Sequence, residues 1–262
     1  MRTLAAVLFG AGLACGSAAA GTSDGAGNPD TIHVNALRDP EVRSYAAIVA
    51  GMDAFERYRP HAPAVGALHF RIERWRDAPV ADTPELLARL EGKDGFVLPL
   101  APSADGDLVV PRNQAALEAD SELILNRKSR HYLIAPRIRT PGLPDNVRRL
   151  GDLRLECQVK VAIAKAELGT WRTLALNALL LTSDWCGFHR DKQDGFSFNT
   201  PGTVTHAVLH DGNVSKNLKS RGNGFIAPLY DMRWRDDALI ELTFAPPPEA
   251  TGTAGGTPRT DS

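Results

Sequence analysis

This 262-residue chain contains no run apolar enough to cross a bilayer. The apolar stretch Leu4–Cys15 is 12 residues long, against the roughly 20 that a spanning helix requires. Neither sign of charge is in excess: 30 Lys and Arg face 31 Asp and Glu, for a net charge of −1. A global field that would gather nucleic acid is therefore missing, and no nucleic-acid partner is expected. Catalytic signatures in a fitting context are absent too. There is no S-x-x-K, no Walker loop and no G-x-G-x-x-G, and the one G-x-S-x-G, Gly21–Gly25, falls in a Gly- and Ser-rich stretch with no strand or helix signal around it. The motif-borne nucleophile and nucleotide readings fall with them, and no cofactor is expected. A triad assembled in space needs no motif, so the bias against catalysis is mild. Cysteines number only three and aromatic residues make up 6%.

What is present begins at residue 1. Met1-Arg2-Thr3 carries one positive charge, the apolar run follows, and then Gly16-Ser17-Ala18-Ala19-Ala20. That order is the grammar of a cleavable secretory signal over residues 1–20, with A-x-A before Gly21. Gly12-Leu13-Ala14-Cys15 offers a competing reading, because it resembles a bacterial lipobox in which Cys15 is lipidated. Leu13 stands one place late for that pattern. Periplasmic or secreted localisation is expected on the first reading, and a lipid anchor to the envelope on the second. A membrane partner is expected only if Cys15 is lipidated.

Either signal leaves two cysteines, Cys157 and Cys186, 29 residues apart. In an oxidising compartment they are expected to pair, and the bond would stabilise the fold by about 3–4 kcal/mol in the chain-entropy view.

The remainder has ordinary globular composition, 43% hydrophobic and 23% charged. Residues 21–38 read as a flexible leader. Asp39, Pro40 and Glu41 suit a helix start, and Val42, Tyr45, Val49 and Met52 give that helix one apolar face, with Pro60 and Pro63 closing it. Leu68, Phe70 and Ile72 then alternate with polar residues as a strand. Pro84–Leu90 is ambiguous between helix and strand. Further strands are expected at 96–100, 107–111 and 121–126, with Asp94-Gly95 and Asp105-Gly106 as turns. The alternation over 153–163 reads as the clearest strand, Cys157 on its apolar face. Trp171–Leu181 reads as helix, 184–198 as a polar loop, and 203–209, 224–229 and 238–244 as strands. Residues 245–262 have the composition of a disordered tail. The class expected is mainly β within α+β: an antiparallel β-sandwich with one or two flanking helices.

Two stretches share a pattern. Asp94-Gly95, Leu100, Gly106, Pro111, Asp120, Leu123 and Leu125 run parallel to Asp211-Gly212, Leu218, Gly224, Pro228, Asp237, Ile240 and Leu242, with nine residues from Pro to Asp in both. The alternatives are two related halves, 39–150 and 151–244, or two meanders that share turn chemistry by coincidence. Ala104–Pro111, followed by the strand at Glu122–Leu125, resembles the turn-strand of carboxypeptidase-regulatory-like, transthyretin-type β-sandwich domains. That resemblance implies an accessory module of exported proteins and carries no catalytic residue.

Candidate chemistry is thin. Cys186, His189, Asp191 and Asp194 lie within nine residues, but a bonded Cys186 cannot ligate and the rest fit no metal signature, so no metal site is expected. His206 and His210 on a strand would stand about 13 Å apart. Arg127, Lys128, Arg130, Arg137, Arg139, Arg148, Arg149 and Arg154 form a basic stretch, from which Arg137, Arg139, Arg148 and Arg149 are the candidates for an anionic glycan or lipid. The leading expectation is an exported, non-catalytic accessory or binding protein, with an envelope protein or a glycan as partner. The alternatives are an exported hydrolase using His189 and Asp191, and anion binding through the arginines.

Overall fold

The computed structural model describes residues 39–74, 85–187 and 196–246, all within one unit running from Val34 to Ser262. In chain order the elements are β1 (Pro40–Ser44), α1 (Tyr45–Tyr58), β2 (His69–Arg74), β3 (Ala88–Glu91), β4 (Val97–Leu100), β5 (Asp107–Leu108), α2 (Gln114–Glu118), β6 (Glu122–Lys128) and β7 (Tyr132–Arg137). Then follow β8 (Val147–Arg149), α3 (Leu150–Leu180), β9 (Phe196–Asn199), β10 (Val204–Asp211), β11 (Val214–Asn217), β12 (Gly224–Ala227) and β13 (Leu239–Phe244). The α+β class expected from the sequence is present, with antiparallel pairing and three α-helices among the described residues, where one or two were expected. A sandwich goes further than these pairings.

The strand orders of the two four-stranded sheets correspond. One runs β1-β6-β3-β4 and the other β8-β13-β10-β11. In each, an edge strand leads without a break into a long helix, β1 into α1 and β8 into α3. In each, a hairpin closes over an Asp-Gly pair: β3–β4 over Asp94-Gly95 and β10–β11 at Asp211-Gly212. Gly212 takes φ 59° in the two-residue link, a backbone region favourable to glycine. Small pairings follow the same plan, β2 with β5 and β9 with β12. Leu123 and Leu125 on β6, and Ile240 and Leu242 on β13, all point into a core.

Two expectations are corrected. The helix expected from Asp39 begins six residues later, at Tyr45. Pro40–Ser44 is instead an edge strand on β6, where a proline costs no ladder bond on its open side. The strand expected over 153–163 is the first half of α3. From Leu150 to Cys157 every residue is buried, so no solvated stripe reveals the helical period. Leu155, Val159 and Ile163 project at four-residue steps into a core shared with α1, β2, β3, β6 and β7. Leu150, Leu153, Cys157 and Val161 project from the opposite side into a core shared with β9, β10, β12 and β13. Two apolar faces about half a turn apart imitate a period of two. α1 packs against α3 at Gly51, where a Cβ would stand 2.8 Å from Ile163 Cγ1.

Candidate functional site

The polar residues between those apolar faces of α3 are buried as well, and each has a hydrogen-bond partner. Glu156 accepts from Arg148 at 2.9 Å and from Lys160 at 2.6 Å. Burial alone would raise its pKa, but the two cations hold it below the usual range. Asp152 receives the Thr140 N–H at 2.6 Å and its hydroxyl at 2.7 Å. Here burial dominates and pushes the carboxyl up. Arg154 donates to Asp236 at 2.5 Å and to the carbonyls of Leu229, Asp231 and Trp234. Asp236 also meets His61 Nδ1 at 2.9 Å. Burial works to raise the Asp236 pKa, and these bonds overcome it. Gly151 is needed at this junction, because a Cβ would lie 2.1 Å from the His61 carbonyl oxygen and 2.8 Å from that of Asp236.

The arginines singled out from the sequence each have a partner within the chain. Arg137 holds Asp107 at 2.5 Å, beside Arg71 at 2.7 Å. Arg139 donates to the carbonyls of Leu143 and Pro144. Arg148 holds Glu156, and Arg149 donates to the His61 carbonyl at 3.2 Å. His206 and His210 are both exposed on β10, facing Thr243 and Leu239 on β13. Cys15, His189, Asp191 and Asp194 lie outside the described residues. Among the described residues no group of three His, Cys, Asp or Glu could hold a metal ion. None of the helices described is long and apolar enough to cross a membrane. A shallow groove of about 300 Å³ runs between α1 and α3, bordered by Asp53, Arg57, Tyr58, Gln158 and Lys165.

Cys157 and Cys186 are bonded, their Cα atoms 5.9 Å apart. The bond joins α3 to the chain that returns from it, not a core strand to a loop as the strand assignment implied. Between the two cysteines α3 breaks at Gly169, with φ 76° and ψ 166°, a conformation almost closed to other residues. The helix resumes in a new direction as an arm over 170–180. Leu181 ends it at φ 56°. The arm's base is fixed to the body at several points. Lys165 Nζ donates to the Ser183 carbonyl at 2.6 Å and lies 5.0 Å over the Trp185 ring. Trp185 Nε1 donates to Asn177 at 2.8 Å, and the Thr173 hydroxyl to the Lys165 carbonyl at 3.2 Å.

The outer face of this arm is apolar and uncovered. Leu181 is 91% exposed, Trp171 82% and Leu179 78%, the three most exposed large apolar side chains among the described residues. Leu174 adds another at 56%. From Leu168 to Ser183 there is no acidic residue, and Arg172 is the only charge. An apolar helix in the sequence ordinarily signals burial, so the helix was legible and its exposure was not. The signal available was its setting, with Gly169 at one end and a cysteine pair enclosing it.

No protein-family model matches the chain, and no curated protein or solved structure matches it significantly.

Proposed function

We propose that this chain is an exported, non-catalytic accessory module whose working surface is the apolar arm between Cys157 and Cys186. The observation that carries this reading is the exposure of Trp171, Leu179 and Leu181 on a segment held in place by a disulfide. Soluble monomers rarely leave a contiguous apolar patch uncovered without a use for it. The disulfide and the signal-like residues 1–20 both favour an oxidising compartment. The resemblance of 104–111 to accessory modules of exported proteins agrees. The matching strand orders favour two related halves, of which only the second carries the arm.

Anion binding through Arg137, Arg139, Arg148 and Arg149 would have to displace internal partners, which makes it the weaker reading. One observation keeps a catalytic alternative in play: the His61–Asp236 pair is partly open to solvent, 28% and 31% exposed, and has the geometry of a base with its orienting carboxylate. His61→Ala abolishing a hydrolytic activity of the purified protein would support that alternative.

The main reading is tested in living cells with a photo-crosslinking residue at Leu174 or Leu179, and at Val97 as an exposed control. Adducts at the arm positions and none at Val97 are expected. Equal labelling at all three, or none at the arm, overturns the reading.

A further inference from the structure

We propose that the arm pairs with the arm of a second copy of this chain, as an antiparallel two-fold helix pair. This rests on the arm being the working surface and names its partner.

Three features of the arm select that occupant. The first is shape. The outward stripe is Trp171, Leu174, Ala175, Ala178 and Leu179, at spacings i, i+3, i+4, i+7 and i+8. These residues share one helical face and form a packing seam. Bulk stands at the two ends and alanine in the middle. Small central residues let two helix axes approach closely, and a two-fold axis at the alanines sets Trp171 and Leu174 of each copy against Leu179 of the other. The stripe is complementary to itself, as an isologous contact demands.

The second feature is charge. Arg172 lies in the first turn after the Gly169 break, where the helix dipole disfavours a cation. The far end of the arm has no basic residue in its last turn; the Leu181 and Thr182 N–H groups cap the Ala178 and Asn177 carbonyls there, and the negative end of the helix dipole remains. Antiparallel pairing brings Arg172 of one copy to that negative end of the other, where a cation is favoured. An anionic lipid surface attracts helices rich in Lys and Arg. This arm has one such residue, on a chain of net charge −1.

The third feature is area. The exposed apolar side chains offer on the order of 500 Å² per copy, or roughly 1,000 Å² across a pair, the low end for specific association. A reversible dimer in the micromolar range is expected, not an obligate one.

The test uses the purified, oxidised protein, measured by size exclusion with light scattering from about 1 to 200 μM. A mass rising toward twice the monomer value is expected. Trp171→Ser with Leu179→Ser should weaken the association at least tenfold, with the thermal transition and the disulfide unchanged, since both side chains are exposed. Ala178→Cys, close to the two-fold axis, should cross-link between copies under mild oxidation, and Val97→Cys should not. A monomer at every concentration overturns the proposal, as does a dimer indifferent to the arm substitutions. A monomer that sediments with phosphatidylcholine–phosphatidylglycerol vesicles through Trp171 and Leu179 overturns the second copy in favour of a lipid surface. If arm adducts form in cells while the pure protein stays monomeric, the pairing fails and the wider reading survives. If neither is seen, both fail.

Discussion

The two long helices hold equivalent places, each issuing from the edge strand of a four-stranded sheet, yet they end differently. α1 stops after 14 residues, and Pro60 lies in the 3-10 turn that follows. α3 runs to 31 residues with a break at Gly169. Up to Ile163 the two do the same work, packing against each other and closing the cores. Beyond that point α3 has no counterpart in α1, and this surplus contains the arm and the greatest apolar exposure, with Cys186 after it bonded back to Cys157. The first half has its own additions, α2 before β6 and β7 beside β2. Those additions are folded in: Ala116 of α2 and Ile134 of β7 are buried. A shared frame carries stability, and what departs from it and stays uncovered carries the proposed interaction.

The comparison breaks most sharply at the two helix glycines. Gly151→Ala on α3 drives a Cβ into two backbone carbonyls, which cannot yield. A loss of at least about 3 kcal/mol is expected in chemical denaturation. Gly51→Ala on α1 meets the movable end of Ile163, so about 1 kcal/mol is expected there. Arg154→Met belongs with the severe class, because it leaves Asp236 with His61 alone and takes the donor from the Leu229 and Trp234 carbonyls, and should cost about 3 kcal/mol.

Removing the disulfide by Cys157→Ala with Cys186→Ala is next in size. The loop-entropy cost is about 3–4 kcal/mol. Hydrogen exchange should rise over 170–187 and around β9, β10, β12 and β13, while β3 and β6 of the first core keep their protection. Uniform loss across both cores would contradict the division into two halves.

Gly169→Ala comes third. The strain of φ 76° and ψ 166° on a residue with a Cβ should cost about 1–3 kcal/mol. It should also loosen the Trp185–Asn177 bond, seen as faster exchange of the Trp185 indole N–H.

The smallest effect is that of pH. Asp107, Glu156 and Asp236 have folded pKa values below their ordinary ones, and Asp231 falls to about 2 beside Arg233. A depressed folded pKa gives stability that is complete above the unfolded value of about 4 and is lost as pH falls through the folded value. Asp152, raised by burial, acts in the opposite sense. Urea midpoints should therefore be flat from pH 7 to 5 and decline toward pH 3. Glu156→Gln should flatten that decline and Asp152→Asn should steepen it.

Strands with one wet face were legible in the sequence, because alternation reports exposure: β2, β6, β10 and β13 lie where it placed them. The Asp-Gly turns were legible for their backbone chemistry. α3 was hidden because its first turns are dry on all sides, so Asp152, Arg154 and Glu156 left no polar stripe. β1 was hidden because Pro40 after Asp39 also suits a helix start, and only pairing with β6 decides between them. The basic stretch was visible, but its partners were not. Asp107 and the His61 carbonyl come from distant parts of the chain, and Glu156, eight residues from Arg148, meets it only because a strand turns into a helix between them. The trio of His61, Arg154 and Asp236 went unnoticed for the same reason.

The arm beyond Gly169 is proposed as the surface for a second copy. Hydrogen–deuterium exchange across 170–181, measured on the oxidised protein at about 1 and 200 μM, tests it most directly. Protection of this segment should grow with concentration while β3, β6, β10 and β13 stay unchanged. Exchange over 170–181 that is identical at both concentrations would contradict it.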